Sequence, residues 1–230
     1  MSIFTANVFA QEKPAAYKDY KRLSWAEMQE IANENRLSHR IFYKPSVGKD
    51  AAWFDAVKKG DLAMVKKMVD NGQNIEVKDT ASLNQTALGW AAFIGYFDIV
   101  EYLVDKGANV FATDKADVKN SLKSAILGGN MQVITYLYEK VKHDLDINAK
   151  DDNDEETSIM VAAWNHRVEA VKWLLTKGAN PNIVAMKEGK PAFNNNALTY
   201  ACMQKDTEIV NILIAAGAVN HRTGKASCAI

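Results

Sequence analysis

Apolar residues recur at helical spacing in two runs within residues 85–109, which read QTALGWAAFIGYFDIVEYLVDKGAN. The first run is narrow because it is rich in alanine, and it ends at Gly95. The second ends at Gly107, where glycine favours the left-handed conformation that stops a helix. The pattern predicts two short antiparallel helices joined by a tight turn. Such a hairpin leaves apolar faces in water if it stands alone, so it predicts copies of itself on either side.

The same pattern occurs five times in one register. Counted from Leu88, the recurring residues stand 7, 12, 15, 16 and 19 places later: Gly95, Val100, Leu103, Val104 and Gly107. The equivalent anchors of the other four units are Trp53, Leu122, Ile159 and Leu198. His166 and Lys205 replace glycine 7 places after two of these anchors, and Val141 replaces it 19 places after a third. Because every change of length falls between units, the sequence predicts a stack of five equivalent helix pairs.

Residues 49–220 resemble the ankyrin-repeat family, most closely in TALGWAA, LVDKGAN and LLTKGANPN. The family unit has about 33 residues, a β-turn and two helices, with a T-P-L-H-x-A signature. The resemblance implies an all-α solenoid with β-turn fingers. No unit has the signature proline, and other residues replace its histidine: Phe54, Gly89, Lys123, Met160 and Thr199. We therefore expect some of the side-chain hydrogen bonds between neighbouring repeats to be missing.

Two further regions precede the repeats. Residues 1–10 end in SIFTANVFA and are followed by the polar QEKP, which is typical of the end of a secretion signal, although a basic start and most of an apolar stretch are missing. Either the natural start lies upstream of Met1 or the similarity is accidental. The first alternative predicts a periplasmic or secreted protein, and the second leaves a cytoplasmic one open.

Residues 11–48 form an N-terminal extension. Ser24 and Glu27 make a capping box, and the spacing of the following apolar residues predicts a helix over 24–37. We expect this helix to cover the outer face of the first repeat, with partner binding as the alternative. At the other end, residues 221–230 are a tail too short for another helix pair, so the fifth repeat must carry a polar outer side.

Charge and composition reduce the classes of partner that the sequence predicts. The chain of 230 residues has 28 basic and 28 acidic side chains, so the formal net charge is zero. This removes the electrostatic argument for nucleic acid as a partner. No apolar run is long enough to predict a membrane span. Two cysteines are too few for a disulfide framework; the sequence favours Cys202 as a small buried side chain and Cys228 as a free thiol in the tail.

No catalytic or cofactor-binding motif is found, so the sequence predicts neither an enzyme nor a cofactor. One stretch offers an alternative: residues 144–155 carry acidic and amide side chains at the spacing of a calcium loop. The glycine required at its sixth position is Ala149, and LDINAKD also resembles a finger of the repeat family. A metal-dependent or enzymatic role for this acidic loop stays open as the second hypothesis.

The primary hypothesis is a non-enzymatic module that binds a protein or peptide. By resemblance, the residues 5 and 6 places after each anchor face the concave groove, together with the finger tips. The predicted groove residues are basic in the first unit and apolar in the later units: Lys58, Lys59, Phe93, Ile94, Leu127, Trp164 and Met203. The predicted finger residues are Leu83, Gln85, Asp117, Lys119, Asp154, Glu156, Phe193 and Asn195.

The apolar groove residues, which we call the apolar stripe, are Phe93, Ile94, Leu127, Trp164 and Met203. An exposed stripe of this kind favours a partner, because large apolar side chains dominate binding energy at interfaces. The alternative is that the stripe packs against neighbouring fingers. A third possibility is self-association, in which one copy of a chain that is otherwise a monomer covers the stripe of another.

Overall fold

A computed structural model describes residues 45–80, 82–112, 114, 120–150 and 154–228. Within these ranges the chain forms helices in consecutive pairs, with one short strand pair between the first and second units. In chain order the elements are α1 (Ala51–Lys58), α2 (Leu62–Asp70), β1 (Lys78–Asp79), β2 (Gln85–Thr86), α3 (Ala87–Ile94), α4 (Phe97–Asp105), α5 (Ser121–Gly128), α6 (Met131–Val141), α7 (Ser158–Trp164), α8 (Val168–Thr176), α9 (Ala197–Met203) and α10 (Thr207–Ala215). The predicted all-α solenoid of five repeats is confirmed.

Three of the first helices begin at a side-chain cap, and two of these end at a glycine. Thr86, Asn120 and Asn196 precede α3, α5 and α9, and each side chain accepts a hydrogen bond from the backbone N–H three residues later. Gly95 and Gly129 end α3 and α5 with φ of 91° and 89°, a left-handed conformation that glycine adopts without a steric penalty. These signals at both ends hold α3 and α5 to two turns.

The equivalent turns of the fourth and fifth units have the same backbone without glycine. His166 and Lys205 stand at the glycine position and adopt φ of 56° and 57°. A side chain with a Cβ is disfavoured there. The repeat geometry therefore prevails over local preference at both positions.

The anchors form the interior row of the stack. Trp53, Leu88, Leu122, Ile159 and Leu198 are all at most 2% exposed. The residues 12 and 15 places later are buried in most units, whereas those 16 places later are only partly buried against the core. Each unit thus adds one layer of buried side chains to a continuous core, as expected of a solenoid.

Side chains 8 places after the anchors Leu88, Leu122 and Ile159 join neighbouring units. The Tyr96 hydroxyl donates to the Lys58 carbonyl at 3.2 Å, and Arg167 Nε donates to the Leu127 carbonyl at 2.8 Å. Asn130 Nδ2 donates in the same way, to the carbonyl of Gly95 at 3.2 Å. These bonds satisfy carbonyls at the ends of first helices, which have no partner within their own helix. The chain therefore has its own set of inter-repeat hydrogen bonds, although it lacks the signature histidines.

A second set of bonds joins the turns that follow the outer helices. The Asn148 side chain accepts from the Asn180 N–H at 2.7 Å and donates to the Gly178 carbonyl at 3.2 Å. Asn182 repeats this arrangement one unit later, with the N–H of Val219 at 2.9 Å and the carbonyl of Gly217 at 3.0 Å. One amide side chain thus links each pair of turns through both its donor and its acceptor.

The predictions for the two cysteines are wrong. Cys202 on α9 and Cys228 in the tail form a disulfide with a Cα–Cα distance of 5.5 Å, so Cys228 is not a free thiol and Cys202 is not simply a small buried side chain. The prediction failed because a count of two cysteines says nothing about how the tail folds. After Asn220 the chain turns back: Asn220 N–H donates to the Lys225 carbonyl at 2.8 Å, which directs Cys228 toward α9.

Other predictions have mixed outcomes. α6 is the longest of the described helices, at 11 residues, and ends at Val141, which replaces the glycine of the other units. Glu208 and Asn211 are exposed on α10, as the polar outer side requires. The predicted secretion signal and the helix over 24–37 lie outside the described residues. No helix in the described ranges combines the length and apolar character needed to cross a membrane.

Candidate functional site

The apolar stripe is only partly accessible. Phe93, Ile94 and Leu127 are buried in the core, with exposures of 0, 1 and 4%, whereas Trp164 is partly buried and Met203 is 55% exposed. The prediction that all five residues face an open groove is therefore wrong for three of them. At this point α3 and α5 are in close contact, since a Cβ on Gly128 would lie 1.9 Å from the Phe93 carbonyl oxygen. The groove is thus apolar and accessible only in the fourth and fifth units.

The structure also contradicts the prediction for the basic end of the groove. Lys58 is 3% exposed, and its Nζ donates to Ser46 Oγ at 2.7 Å and to Asp79 Oδ2 at 2.8 Å. The ammonium group lies 4.6 Å from the centre of the Trp90 ring, whose Nε1 also donates to Asp79 Oδ2. A buried cation needs such partners because desolvation is costly. Lys58 therefore joins the first two units; Lys59 is half-buried.

Two of the predicted finger residues are structural. Gln85 is 3% exposed, and its Nε2 donates to Asp114 Oδ2 and to Ser124 Oγ, both at 3.2 Å. Asn195 is also 3% exposed and pairs with Ala185 in an isolated antiparallel bridge at the base of the fourth finger. These buried amides hold the fingers, so neither residue is an exposed finger tip.

The remaining finger residues differ in accessibility. Leu83 is half-buried with φ of 56°, and Phe193 is 38% exposed. Asp117 and Lys119 lie outside the described residues. Phe193 therefore remains as an apolar finger residue in reach of a partner.

The acidic side chains of the third finger, between the third and fourth units, bond within the chain. Asp154 is 8% exposed and lies 3.3 Å from Lys190 Nζ, while Glu156 Oε1 accepts from the Tyr200 hydroxyl at 2.6 Å. Glu155 Oε2 accepts from the Met186 N–H at 2.7 Å and from Lys150 Nζ at 3.2 Å. These bonds lower the pKa of Glu155, chiefly through the backbone N–H of Met186. The predicted acidic contact surface is thus largely used to hold the next finger.

The same bonds bear on the calcium hypothesis. Asn148 bridges two turns, and Glu155 faces Lys150 and Met186. No group of three His, Cys, Asp or Glu side chains in the described ranges is arranged to hold a metal ion. Residues 151–153 of this loop are outside those ranges.

A partly buried tryptophan and an exposed methionine, with a buried tyrosine beside them, lie in the fourth and fifth units. The rings of Trp164 and Tyr200 are 4.9 Å apart between centroids at an angle of 54°. Trp164 and Met203 occupy the same position in neighbouring units, and helices of adjacent repeats pack at roughly 10 Å. We call Trp164 and Met203 the groove surface; Tyr200, which is 4% exposed, supports Trp164 from the core side. Sequence reasoning missed Tyr200, although its place two residues after an anchor makes it a neighbour of Trp164.

A cavity of about 150 Å³ adjoins this surface at the end of the stack. Met203, the Cys202–Cys228 disulfide, three uncharged polar residues and one cation line it, in chain order Asn195, Thr199, Cys202, Met203, Asn220, Arg222 and Cys228. We call it the C-terminal cavity. The repeat pattern did not predict this cavity, because the tail contributes one wall.

Comparison with known proteins identifies relatives of the whole repeat region. A family model described as ankyrin repeats, in three copies, matches residues 53–151, 113–185 and 159–227. The chain is 33% identical over 163 residues to the ankyrin repeat and KH domain-containing protein mask-1 of Caenorhabditis elegans, which covers 71% of this chain and 6% of that protein.

Two palmitoyltransferases are also similar to it. AKR1 of Lachancea kluyveri is 29% identical over 156 residues, covering 52% of this chain and 21% of AKR1. Hip14 of Drosophila melanogaster is 25% identical over 204 residues, covering 73% of this chain and 30% of Hip14. The chain thus spans less than a third of the length of each of these three relatives.

Proposed function

Because the chain belongs to the ankyrin-repeat family, whose repeats generally mediate protein–protein interaction, we propose that it is a non-enzymatic module that binds a protein or peptide through the groove surface. Trp164 and Met203 are the anchors of this contact, and Phe193 on the fourth finger adds to it. The observation that carries the proposal is the exposure of Met203, 55%, next to the Trp164–Tyr200 pair.

The energetics of interfaces support this assignment. Trp and Tyr side chains contribute most where water is excluded around them, and methionine adapts to irregular partner surfaces. The Tyr200 ring is held in place by Trp164 on one side and by its hydroxyl bond to Glu156. A partner therefore meets a surface that is already ordered, which reduces the entropy lost on binding.

The experiment is affinity capture from the native cell followed by binding measurements with the purified partner. Wild type is compared with a Trp164→Ala, Met203→Ala double variant. Met64→Ala is the matched control, because Met64 is 42% exposed on the outer helix α2. The double variant should lose the partner while circular dichroism shows that it is folded at the assay temperature, and Met64→Ala should keep the partner. Equal capture by all three proteins would overturn the proposal.

Two other functions make different predictions. A calcium-dependent role for the loop at 144–155 predicts heat and thermal stabilisation on titration with Ca²⁺. Self-association through the groove surface predicts sedimentation that depends on concentration and is abolished in the Trp164→Ala, Met203→Ala variant. The binding-module proposal expects neither result.

We also propose that the protein works in an oxidising compartment, in the periplasm or outside the cell. Disulfides persist in such compartments and are rare in a reducing cytosol, and the Cys202–Cys228 bond supports this choice. The test is to treat native cells with a thiol-alkylating reagent before lysis. Both cysteines should remain unlabelled unless a reductant is added first. Labelling without reductant would favour the cytoplasm.

A further inference from the structure

The C-terminal cavity is walled by a segment that is fixed at several points. Asn196 Nδ2 donates to the Val219 carbonyl at 2.8 Å, and Asn220 is 3% exposed at the base of the tail. The disulfide then joins the far end of the tail to α9, one residue before Met203. The cavity is therefore preformed, and a ligand does not have to order the tail before it binds.

The described residues that line the cavity carry positive charge and no negative charge. Among the described lining residues, Arg222 is the one with a formal charge, and no carboxylate lies among them. Arg222 Nη2 donates to Asn195 Oδ1 at 3.1 Å. Asn195 is buried, and its own Nδ2 donates to the Phe193 carbonyl at 3.2 Å. The guanidinium is thus held by a fixed acceptor at the edge of an apolar cavity.

We propose that the C-terminal cavity takes an Asp or Glu side chain of the partner, together with a large apolar side chain next to it in sequence. The fork of N–H donors on arginine matches a carboxylate, and Met203 and the disulfide offer the adjoining apolar wall. This rests on the proposed function and specifies which peptides the groove surface accepts. Trp164 and Met203 provide contact area, and Arg222 favours peptides that carry a carboxylate at the matching position.

The experiment begins with a random peptide library displayed on phage and selected on the immobilised wild-type protein. Enriched sequences should carry Asp or Glu beside a large apolar residue. Selected peptides are then synthesised with Glu or Gln at that position, each with a free and an amidated C-terminus, and binding is measured by fluorescence anisotropy. Replacing Glu by Gln should weaken binding to wild type about tenfold or more.

Variants of the protein assign this effect to one residue. Arg222→Gln should bind the Glu and Gln peptides alike, whereas Lys225→Gln, an exposed cation outside the cavity lining, should still prefer Glu. Circular dichroism checks that both variants melt like wild type. Equal preference for Glu in Arg222→Gln and wild type would overturn the proposal.

The remaining outcomes separate the two proposals. Peptides that bind through Trp164 but do not discriminate Glu from Gln would overturn the cavity assignment and leave the groove proposal standing. Loss of binding on amidation of the C-terminus, with no effect of Glu→Gln, would place the carboxylate at the end of a chain and contradict the side-chain source. Failure of wild type to retain any peptide in the library would count against both.

Discussion

His166 Nδ1 lies 2.6 Å from Asp206 Oδ2, which joins the turn of the fourth repeat to the start of the last outer helix. The other carboxylate oxygen of Asp206 accepts from the Ile209 N–H at 3.0 Å and caps α10. One side chain thus performs two tasks, capping its own helix and linking two repeats. Asp61 stands at the same position of the first unit and caps α2, with Oδ1 accepting from Met64 N–H at 3.0 Å.

This pair of aspartates allows the link to be separated from the cap. Asp61→Ala should lower the free energy of unfolding by about 1 kcal/mol, the usual value of an N-cap. Asp206→Ala should cost about 1 kcal/mol more, because it also removes the bond to His166. Urea unfolding at neutral pH measures both. Equal losses would show that the His166 contact contributes nothing to stability.

Lys205 offers a stabilising substitution. It adopts φ of 57° at a position where three other repeats have glycine. Lys205→Gly should raise the free energy of unfolding by about 0.5–1 kcal/mol, since the left-handed conformation costs less without a Cβ. Gln204→Gly is the matched control: its φ of −79° is right-handed, so glycine there should destabilise. Thermal unfolding of the two variants should therefore shift in opposite directions.

Gly128 tests the close contact between α3 and α5. Alanine is normally favoured over glycine within a helix by about 1 kcal/mol. Here its Cβ would lie 1.9 Å from the backbone oxygen of Phe93, so Gly128→Ala should destabilise by about 1–3 kcal/mol instead. Gly178→Ala is the comparison, because Gly178 has φ of 86° and open space around it, so conformational strain is its main cost. A neutral or stabilising Gly128→Ala would mean that the two helices can separate readily.

The bonds to Glu155 predict a pH dependence of the contact between the third and fourth fingers. The Met186 N–H, and after it Lys150, hold the pKa of Glu155 below its ordinary value of 4.5. A carboxyl with a lowered pKa in the folded state stabilises above the ordinary value, and the contribution is lost as pH falls through the lowered pKa. The Met186 amide resonance should therefore titrate with a midpoint below 4.5, and this titration should be absent in Glu155→Gln. A midpoint at or above 4.5 would contradict the contact.

Much of the fold could be predicted because the repeats constrain one another. Leu88 and the four equivalent anchors had to be buried in register, and Gly107 had to end its helix, since each unit covers only its neighbours. The turns at His166 and Lys205 could be placed despite their side chains for the same reason. Periodicity therefore located the elements better than any single residue preference did.

The site was harder to predict because accessibility depends on contacts between units. Phe93 and Leu127 occupy the same repeat position as Met203, yet they are buried and Met203 is exposed. The role of Lys58 depended on Asp79, which lies 21 residues away, and the cavity depended on the fold of the tail. These contacts are specific to single repeats, so the family pattern could not reveal them.

The disulfide also determines how the chain responds to tension. It closes a ring between positions separated by 26 residues, which includes α10 and ends near the C-terminus. If the two ends of the molecule are pulled apart, the residues within this ring cannot extend while the disulfide is intact. Breaking the bond would let the extended chain lengthen by about 90 Å, at roughly 3.5 Å for each released residue. The part of the final repeat that lies within the ring can therefore be extended by mechanical force only after the disulfide is reduced.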